Sequence, residues 1–252
     1  MDNETNALLD PLPRHLGIVC PMANELQTAE RFVTEVLARC GGFEKVSFFA
    51  VLDNVSRDGT RALLDKLAAS EPRLQPIWAP ENRCVVDAYV RGYRAALDAG
   101  CDWILEIDAG FSHQPSDIPP FFEKMREGYD CVFATRFRLG GRIEDSSFKR
   151  YLVSLGGTIL ARLLLGTRLS DMTSGFELFR APALTAAMGF IQSRGPFFQT
   201  EIKTYCHRYR IAEVPILYKS ASHNVNNASL KDAFANLGRL FRLRLSGDLP
   251  LS

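Results

Sequence analysis

Between residues 15 and 135, five short apolar runs alternate with stretches of helical spacing. No other feature limits the fold as much. The runs lie at 15–20, 46–52, 74–78, 103–107 and 129–135. Between the first two, 26–40 carries Ala29, Phe32, Val33, Val36 and Leu37 at helical intervals, and Gly41-Gly42 ends it. The stretch after Thr60, then 85–99 and 118–126, read as three more helices. Strand, helix, strand at this spacing predicts parallel βαβ units in a doubly wound sheet. A chain of 252 residues accommodates one large α/β domain or two small ones.

After Arg136 the alternation stops. A long helix is expected over 146–165, interrupted at Gly156-Gly157, and then a loop at 171–176 running into a short strand at 177–180. A helix at 196–208 and a last strand at 211–218 follow. Over 230–245, Ala233, Phe234, Leu237, Leu240 and Phe241 share one face, while Lys231, Arg239, Arg242 and Arg244 stand against the single acid Asp232. This reads as an amphipathic basic helix.

Several function classes are excluded. The net charge of +1 provides no general field for nucleic acid. Six scattered cysteines without a C-x-x-C read as reduced thiols, and the four histidines lack zinc-ligand spacing. No window approaches the roughly eighteen apolar residues of a spanning helix. Residues 1–14 are acidic and then proline-rich, unlike a signal peptide, and read as a loose tail. The expected organisation is a tail at 1–14, a catalytic domain at 15–220, and a loop with the C-terminal helix at 221–252.

Chemistry concentrates where apolar runs end in polar loops. The fourth run passes directly into Asp108-Ala109-Gly110-Phe111-Ser112-His113. A carboxylate at the C-terminal end of a strand in an open α/β sheet stands where such sheets bind ligands. Taken singly, each loop has a plain structural reading. Ser56 or Asp58 serves as a helix N-cap, Asn82 as a turn residue, and Gly175 as a positive-φ turn position.

Their order and spacing say more. Pro21-x-x-Asn24-Glu25, Asp53-Asn54-x-Ser56-x-Asp58-Gly59-Thr60, Asn82, Asp108-Ala109, Thr135-Arg136-Phe137, Asp171-x-Thr173-Ser174-Gly175-Phe176 and Glu213-Val214-Pro215-Ile216 follow one another. Together they resemble the family 2 glycosyltransferases, and within them the dolichyl- or polyprenyl-phosphate sugar synthase branch. The resemblance covers about residues 15 to 220. It implies a single α/β domain of the glycosyltransferase A type, with a mostly parallel twisted sheet and helices on both faces.

It also implies roles. Pro21, Asn24, Glu25, Asp53, Asn82 and Asp108 would bind a GDP- or UDP-linked sugar, with Glu25 and Asp53 at the base and ribose. Arg136, Arg150 and Ser154 would hold the phosphate of a polyprenyl acceptor. Asp108, Asp171 and Arg136 are the candidate catalytic residues, and Asp108 is the candidate ligand for Mg2+ or Mn2+. The expected partners are a nucleotide sugar, a polyprenyl phosphate and a membrane surface, with a membrane subunit as a further partner and no nucleic acid. The expected location is the cytoplasmic face of a membrane, held peripherally.

The chemistry fits these residue types. A lipid phosphate has a second pKa of about 6, so near neutral pH it is already a dianionic nucleophile that needs cations rather than a base. Arginine supplies them bidentately. The departures from the branch matter equally. Gly110 stands where the second metal-binding Asp is usual, and Ser112 where an amide is usual. Restoring an acid at Gly110 is therefore expected to tighten manganese binding. Two alternatives stand beside the main reading. One is transfer to a glycan or glycolipid hydroxyl with Asp171 as base. The other is a non-catalytic subunit that binds nucleotide sugars.

Overall fold

The computed structural model describes residues 15–138, 140–145, 147–219 and 227–249. The tail expected at 1–14 and the segment 220–226 lie outside the described residues.

The first half follows the sequence pattern closely. Strands β1 (His15–Pro21), β2 (Lys45–Leu52), β3 (Leu74–Trp78), β4 (Trp103–Glu106) and β5 (Cys131–Thr135) alternate with helices α1 (Ala29–Arg39), α2 (Thr60–Ala68), α3 (Val85–Asp98) and α4 (Pro119–Arg126). β1, β4 and β5 are buried almost end to end, as strands covered on both faces must be.

The second half is where sequence and structure part. β6 (Arg142–Glu144) and α6 (Ala181–Met188) were not expected. α5 (Phe148–Leu165) runs unbroken through Gly156-Gly157. The Ser147 hydroxyl caps its start by accepting from the Arg150 N–H at 3.3 Å. Packing and caps thus outweigh a helix penalty of about 1 kcal/mol per glycine. β7 (Glu177–Arg180) forms where expected. The helix expected at 196–208 shortens to α7 (Phe198–Tyr205), followed by a 3-10 turn. The last strand splits at Pro215 into β8 (Ile211–Pro215) and β9 (Leu217–Lys219), and α8 (Asn227–Ser246) closes the described chain. Proline cannot donate to a ladder, so the chain leaves one sheet there and joins another.

The main sheet has seven strands in the order β3-β2-β1-β4-β7-β5-β8, and β6 pairs with β9 in a small second sheet. Only β7 runs antiparallel to its neighbours in the main sheet, which places Glu106 opposite Glu177. Two apolar cores sandwich the sheet. Phe32, Phe48 and Phe121 lie in one. Tyr93, Phe179 and Phe198 lie in the other. Strand order reverses between β1 and β4, and the crevice at their C-terminal ends is where open α/β sheets take ligands.

Candidate active site

The loops after β1, β2 and β3 meet at one edge of this crevice. Asn24 has φ +61 and stitches two of them together: its Nδ2 donates to Val55 O at 3.0 Å, and its Oδ1 accepts from the Arg57 N–H at 2.9 Å. The Glu25 N–H donates to Thr60 Oγ1 at 2.8 Å, and Asp53 Oδ1 accepts from the Val55 N–H at 2.9 Å in an Asx-turn. Asn54 Nδ2 reaches Pro80 O at 2.8 Å in the third loop. Asn82 Nδ2 is buried with no partner among the described residues. Pro21, Asn24, Glu25, Asp53 and Asn82 therefore gather at the ends of three adjacent strands. The Asn24 amide is spent on holding the loops together.

Asp108 follows β4. Tyr89, from α3, donates its hydroxyl to Asp108 Oδ1. The Asp108 N–H donates to His113 Nδ1 at 3.1 Å. A backbone N–H can only donate, so His113 accepts at Nδ1 and carries its proton on Nε2. Burial pushes the His113 pKa down to about 4. The imidazole is neutral at physiological pH, and its 3.7 Å approach to Asp108 Oδ2 is not an ion pair. Its ring stacks on Phe176.

Arg136 and Asp171 form the charged centre of the site, and both are buried. Arg136 Nε donates to Asp171 Oδ2 at 2.7 Å and Nη2 to Oδ1 at 2.8 Å, while its own backbone N–H reaches Oδ2 at 3.1 Å. Nη2 also meets Thr173 Oγ1 at 2.5 Å. Burial opposes both charges. The arginine nevertheless holds the Asp171 carboxyl well below the usual carboxylate range, and Asp171 keeps the guanidinium charged. Asp171 as a general base is therefore corrected: a carboxylate so stabilised as an anion and so fully bonded is a poor proton acceptor. It sets the position of Arg136. Arg150 approaches the same place from α5, with Nη2 3.4 Å from Tyr218 Oη, and the Arg136 guanidinium lies 5.3 Å from the centre of the Tyr218 ring.

These groups open on a cavity of about 750 Å³. Asp108, His113, Arg136, Arg150 and Ser154 share its wall with Leu152 and Leu160 of α5 and with Leu230, Phe234 and Leu237 of α8. Charge and hydrogen-bonding groups are thus joined to an apolar lining. Tyr89, Tyr218 and the α8 side chains were missed from sequence. Tyr89 and the α8 side chains are brought in by the packing of α3 and α8, and Tyr218 by β9, which follows the Glu213-Val214-Pro215-Ile216 stretch.

The donor set does not build a cage for a divalent cation. Among the described residues no group of three or more His, Cys, Asp or Glu could hold one. Asp108 contributes a single carboxylate, with Oδ1 already bonded. His113 turns Nδ1 away to the backbone, and Ser112 is buried with its carbonyl accepting from the Lys219 N–H at 2.9 Å. An acid at Gly110 would stand against the Glu25 carboxylate. Gly110 has φ +69, and a Cβ there would lie 2.8 and 2.9 Å from the two oxygens of the Glu25 carboxylate.

α5 packs one face into the core through Ala161 and Leu165, while Phe148, Leu152, Ile159 and Leu163 are exposed. On α8, Leu237 and Leu240 are buried while Phe234 and Leu245 are exposed. Arg239 pairs with buried Glu201, and Arg244 Nη1 caps the carbonyls of Leu163 and Leu164 at 3.2 and 2.8 Å. Those two basic groups serve the fold. Lys231 and Arg242 of α8 remain exposed, as do Lys149 and Arg162 of α5.

The sequence matches the family model for Glycosyl transferase family 2 over residues 17–186. It is 32% identical over 203 residues to an undecaprenyl-phosphate mannosyltransferase of Micrococcus luteus, covering 79% of this chain and 82% of that protein. It is 28% identical over 254 residues to a polyprenol monophosphomannose synthase of Mycolicibacterium smegmatis, covering 96% and 94%. Among solved structures it resembles glucosyl-3-phosphoglycerate synthase from Mycobacterium tuberculosis in complex with UDP, with a TM-score of 0.66 at 18% identity over 91% of this chain and 80% of that one. The same enzyme in complex with Mn2+, UDP and glucosyl-3-phosphoglycerate gives a TM-score of 0.60 at 17% identity, covering 95% and 81%.

Proposed function

This chain belongs to glycosyl transferase family 2, and we propose that it moves a sugar from a nucleotide sugar to the phosphate of a polyprenyl phosphate, with inversion. It is a glycosyltransferase with the glycosyltransferase A fold. The observation that carries the acceptor reading is the cavity itself, where two arginines adjoin an apolar channel between α5 and α8. An anionic head on an apolar tail matches that wall. The two sequence relatives are a mannosyltransferase and a monophosphomannose synthase, so mannose is the sugar we propose, carried on GDP or UDP.

The chemistry follows from the residues. The nucleotide sits against the loops of Glu25, Asp53 and Asn82, with Asp108 beneath the sugar–diphosphate bond. An oxygen of the lipid phosphate attacks C1 of the sugar from the opposite side. The C1–O bond to the diphosphate breaks, and the nucleoside diphosphate leaves with both electrons of that bond. A phosphate dianion has no proton to lose, so the step needs no base. Arg136 and Arg150 draw the dianion in and orient it, with Ser154 as a further hydrogen-bonding group. Transfer to a hydroxyl is the weaker reading, because Asp171 is not available as its base.

No helix among the described residues is long and apolar enough to cross a membrane. We propose that the exposed apolar residues of α5 and α8 rest on the lipid surface on the cytoplasmic side, which brings the acceptor to the cavity. The test of the function is direct. The protein is incubated with labelled GDP-mannose or UDP-glucose and undecaprenyl phosphate. Label extracted with the lipid supports the reading, and label that stays in the aqueous phase with both donors refutes it.

A further inference from the structure

Beneath the 171–174 turn lies a charged group that the reaction does not use. The side chains of Lys203 on α7 and Glu177 on β7 are both wholly buried. The Lys203 ammonium donates to Asp171 O at 3.0 Å and to Ser174 O at 2.8 Å. It stands 3.2 Å from Glu177 Oε1, close enough for charge attraction but out of line for a hydrogen bond. One ammonium therefore clamps both ends of the turn whose Asp171 carboxylate fixes Arg136. Thr200 Oγ1, three residues earlier on the same helix, adds a bond to Met172 O at 2.9 Å.

Burying a lysine is costly, and an ordinary turn does not require one. Here the ammonium has two turn carbonyls as hydrogen-bond acceptors and a Glu177 carboxyl oxygen 3.2 Å away. Glu177 in turn faces Glu106 across the β4–β7 ladder. Glu106 is held by the Tyr93 hydroxyl and the Gln199 amide, so the clamp is anchored in the floor of the site. Gly175 allows that anchor, since a Cβ there would meet Gln199 Nε2 at 2.8 Å.

We infer that Lys203 is a positioning residue for acceptor binding. Through the Asp171 and Ser174 carbonyls it holds the turn that aims Arg136 into the cavity. The inference rests on the proposed acceptor reading of Arg136. Its test separates the loss of the clamp from the loss of charge balance. Lys203→Met removes both. Lys203→Met combined with Glu177→Leu removes the clamp but leaves no unpaired acid. Initial rates with GDP-mannose or UDP-glucose, whichever the wild type uses, and undecaprenyl phosphate give KM for each substrate, and melting curves report the fold.

The expected result is a rise of tenfold or more in the acceptor KM for both variants, with the donor KM within twofold of wild type. The double variant is expected to melt closer to wild type than the single one. If the double variant regains both stability and acceptor KM, Lys203 only balances Glu177 and the inference is overturned. An equal loss for donor and acceptor overturns it too. If the single variant does not fold, the double variant alone decides. A wild-type protein that never uses undecaprenyl phosphate would defeat the acceptor reading itself, and the clamp's proposed purpose with it.

Discussion

Asp171 grips Arg136 at three points, through Nε, Nη2 and the backbone N–H, with both side chains buried. That grip leaves Nη1 of the guanidinium for a ligand and fixes the direction in which it points. It also separates two roles for Asp171. Asp171→Asn keeps the shape but weakens the hold. If Asp171 only positions Arg136, steady-state kinetics of this variant show a raised acceptor KM, on the order of tenfold, with much of kcat retained. A base would instead lose kcat by about 10²–10⁴-fold. Asp171→Ala leaves a buried cation unpaired, and denaturant unfolding is expected to show a cost of about 3–5 kcal/mol.

Metal binding should depend on the donor. Among the described residues no group of three or more His, Cys, Asp or Glu surrounds Asp108. Calorimetry with Mn2+ alone is predicted to show no site tighter than millimolar. Any tight binding should require nucleoside diphosphate, whose oxygens supply ligands suited to a hard cation. Gly110→Asp should leave Mn2+ affinity unchanged and lower the melting temperature, because its side chain meets the Glu25 carboxylate. Tighter Mn2+ binding in that variant would show that the loop opens to accept it.

Membrane association should follow the exposed apolar residues more than total charge. Phe148 is 76% exposed, Leu163 72%, Phe234 63% and Leu245 71%. Each large apolar side chain taken into lipid contributes about 1.5–3 kcal/mol, and each basic group near an anionic leaflet about 1 kcal/mol. In vesicle sedimentation with anionic lipid, Leu163→Ser with Phe234→Ser should weaken binding at least tenfold. Neutralising Lys231 and Arg242 should weaken it less, with the effect lost at high salt. Arg239→Ala should chiefly destabilise the protein, since that side chain pairs with buried Glu201.

The first half of the fold could be read from sequence because its signals are local. Each βα unit carries its own apolar run, helical period and loop, and β1 to β5 appear within two residues of expectation. Beyond Arg136 the deciding contacts are distant. β7 enters the sheet antiparallel between β4 and β5, and Pro215 hands the chain from one sheet to another. Neither has a periodic signature. The motif residues Asp108, Arg136, Arg150 and Ser154 do come together on one cavity wall. The spacing of Asp171 was legible, but its chemistry was not, because that depends on a partner 35 positions away. The basic face of α8 misled for the same reason: Arg239 and Arg244 look solvated in a helical projection and are bonded in the fold.

The central claim is that the nucleophile is a phosphate dianion held by arginine, with no protein base. The most direct measurement is kcat/KM for the lipid acceptor between pH 5 and 6.5 with donor saturating, comparing undecaprenyl phosphate with undecaprenol. In that window His113, at about 4, stays neutral. Asp171, held far below its usual range, stays charged. Glu177, raised by burial to about 7, is wholly buried beside Lys203 and does not line the cavity. The ionisation left to the acceptor is the second one of the phosphate, near 6. The account predicts a rate that climbs with pH and bends over near 6 for undecaprenyl phosphate, with no transfer to undecaprenol. Transfer to undecaprenol at a comparable rate, or a flat profile with the phosphate, would contradict it.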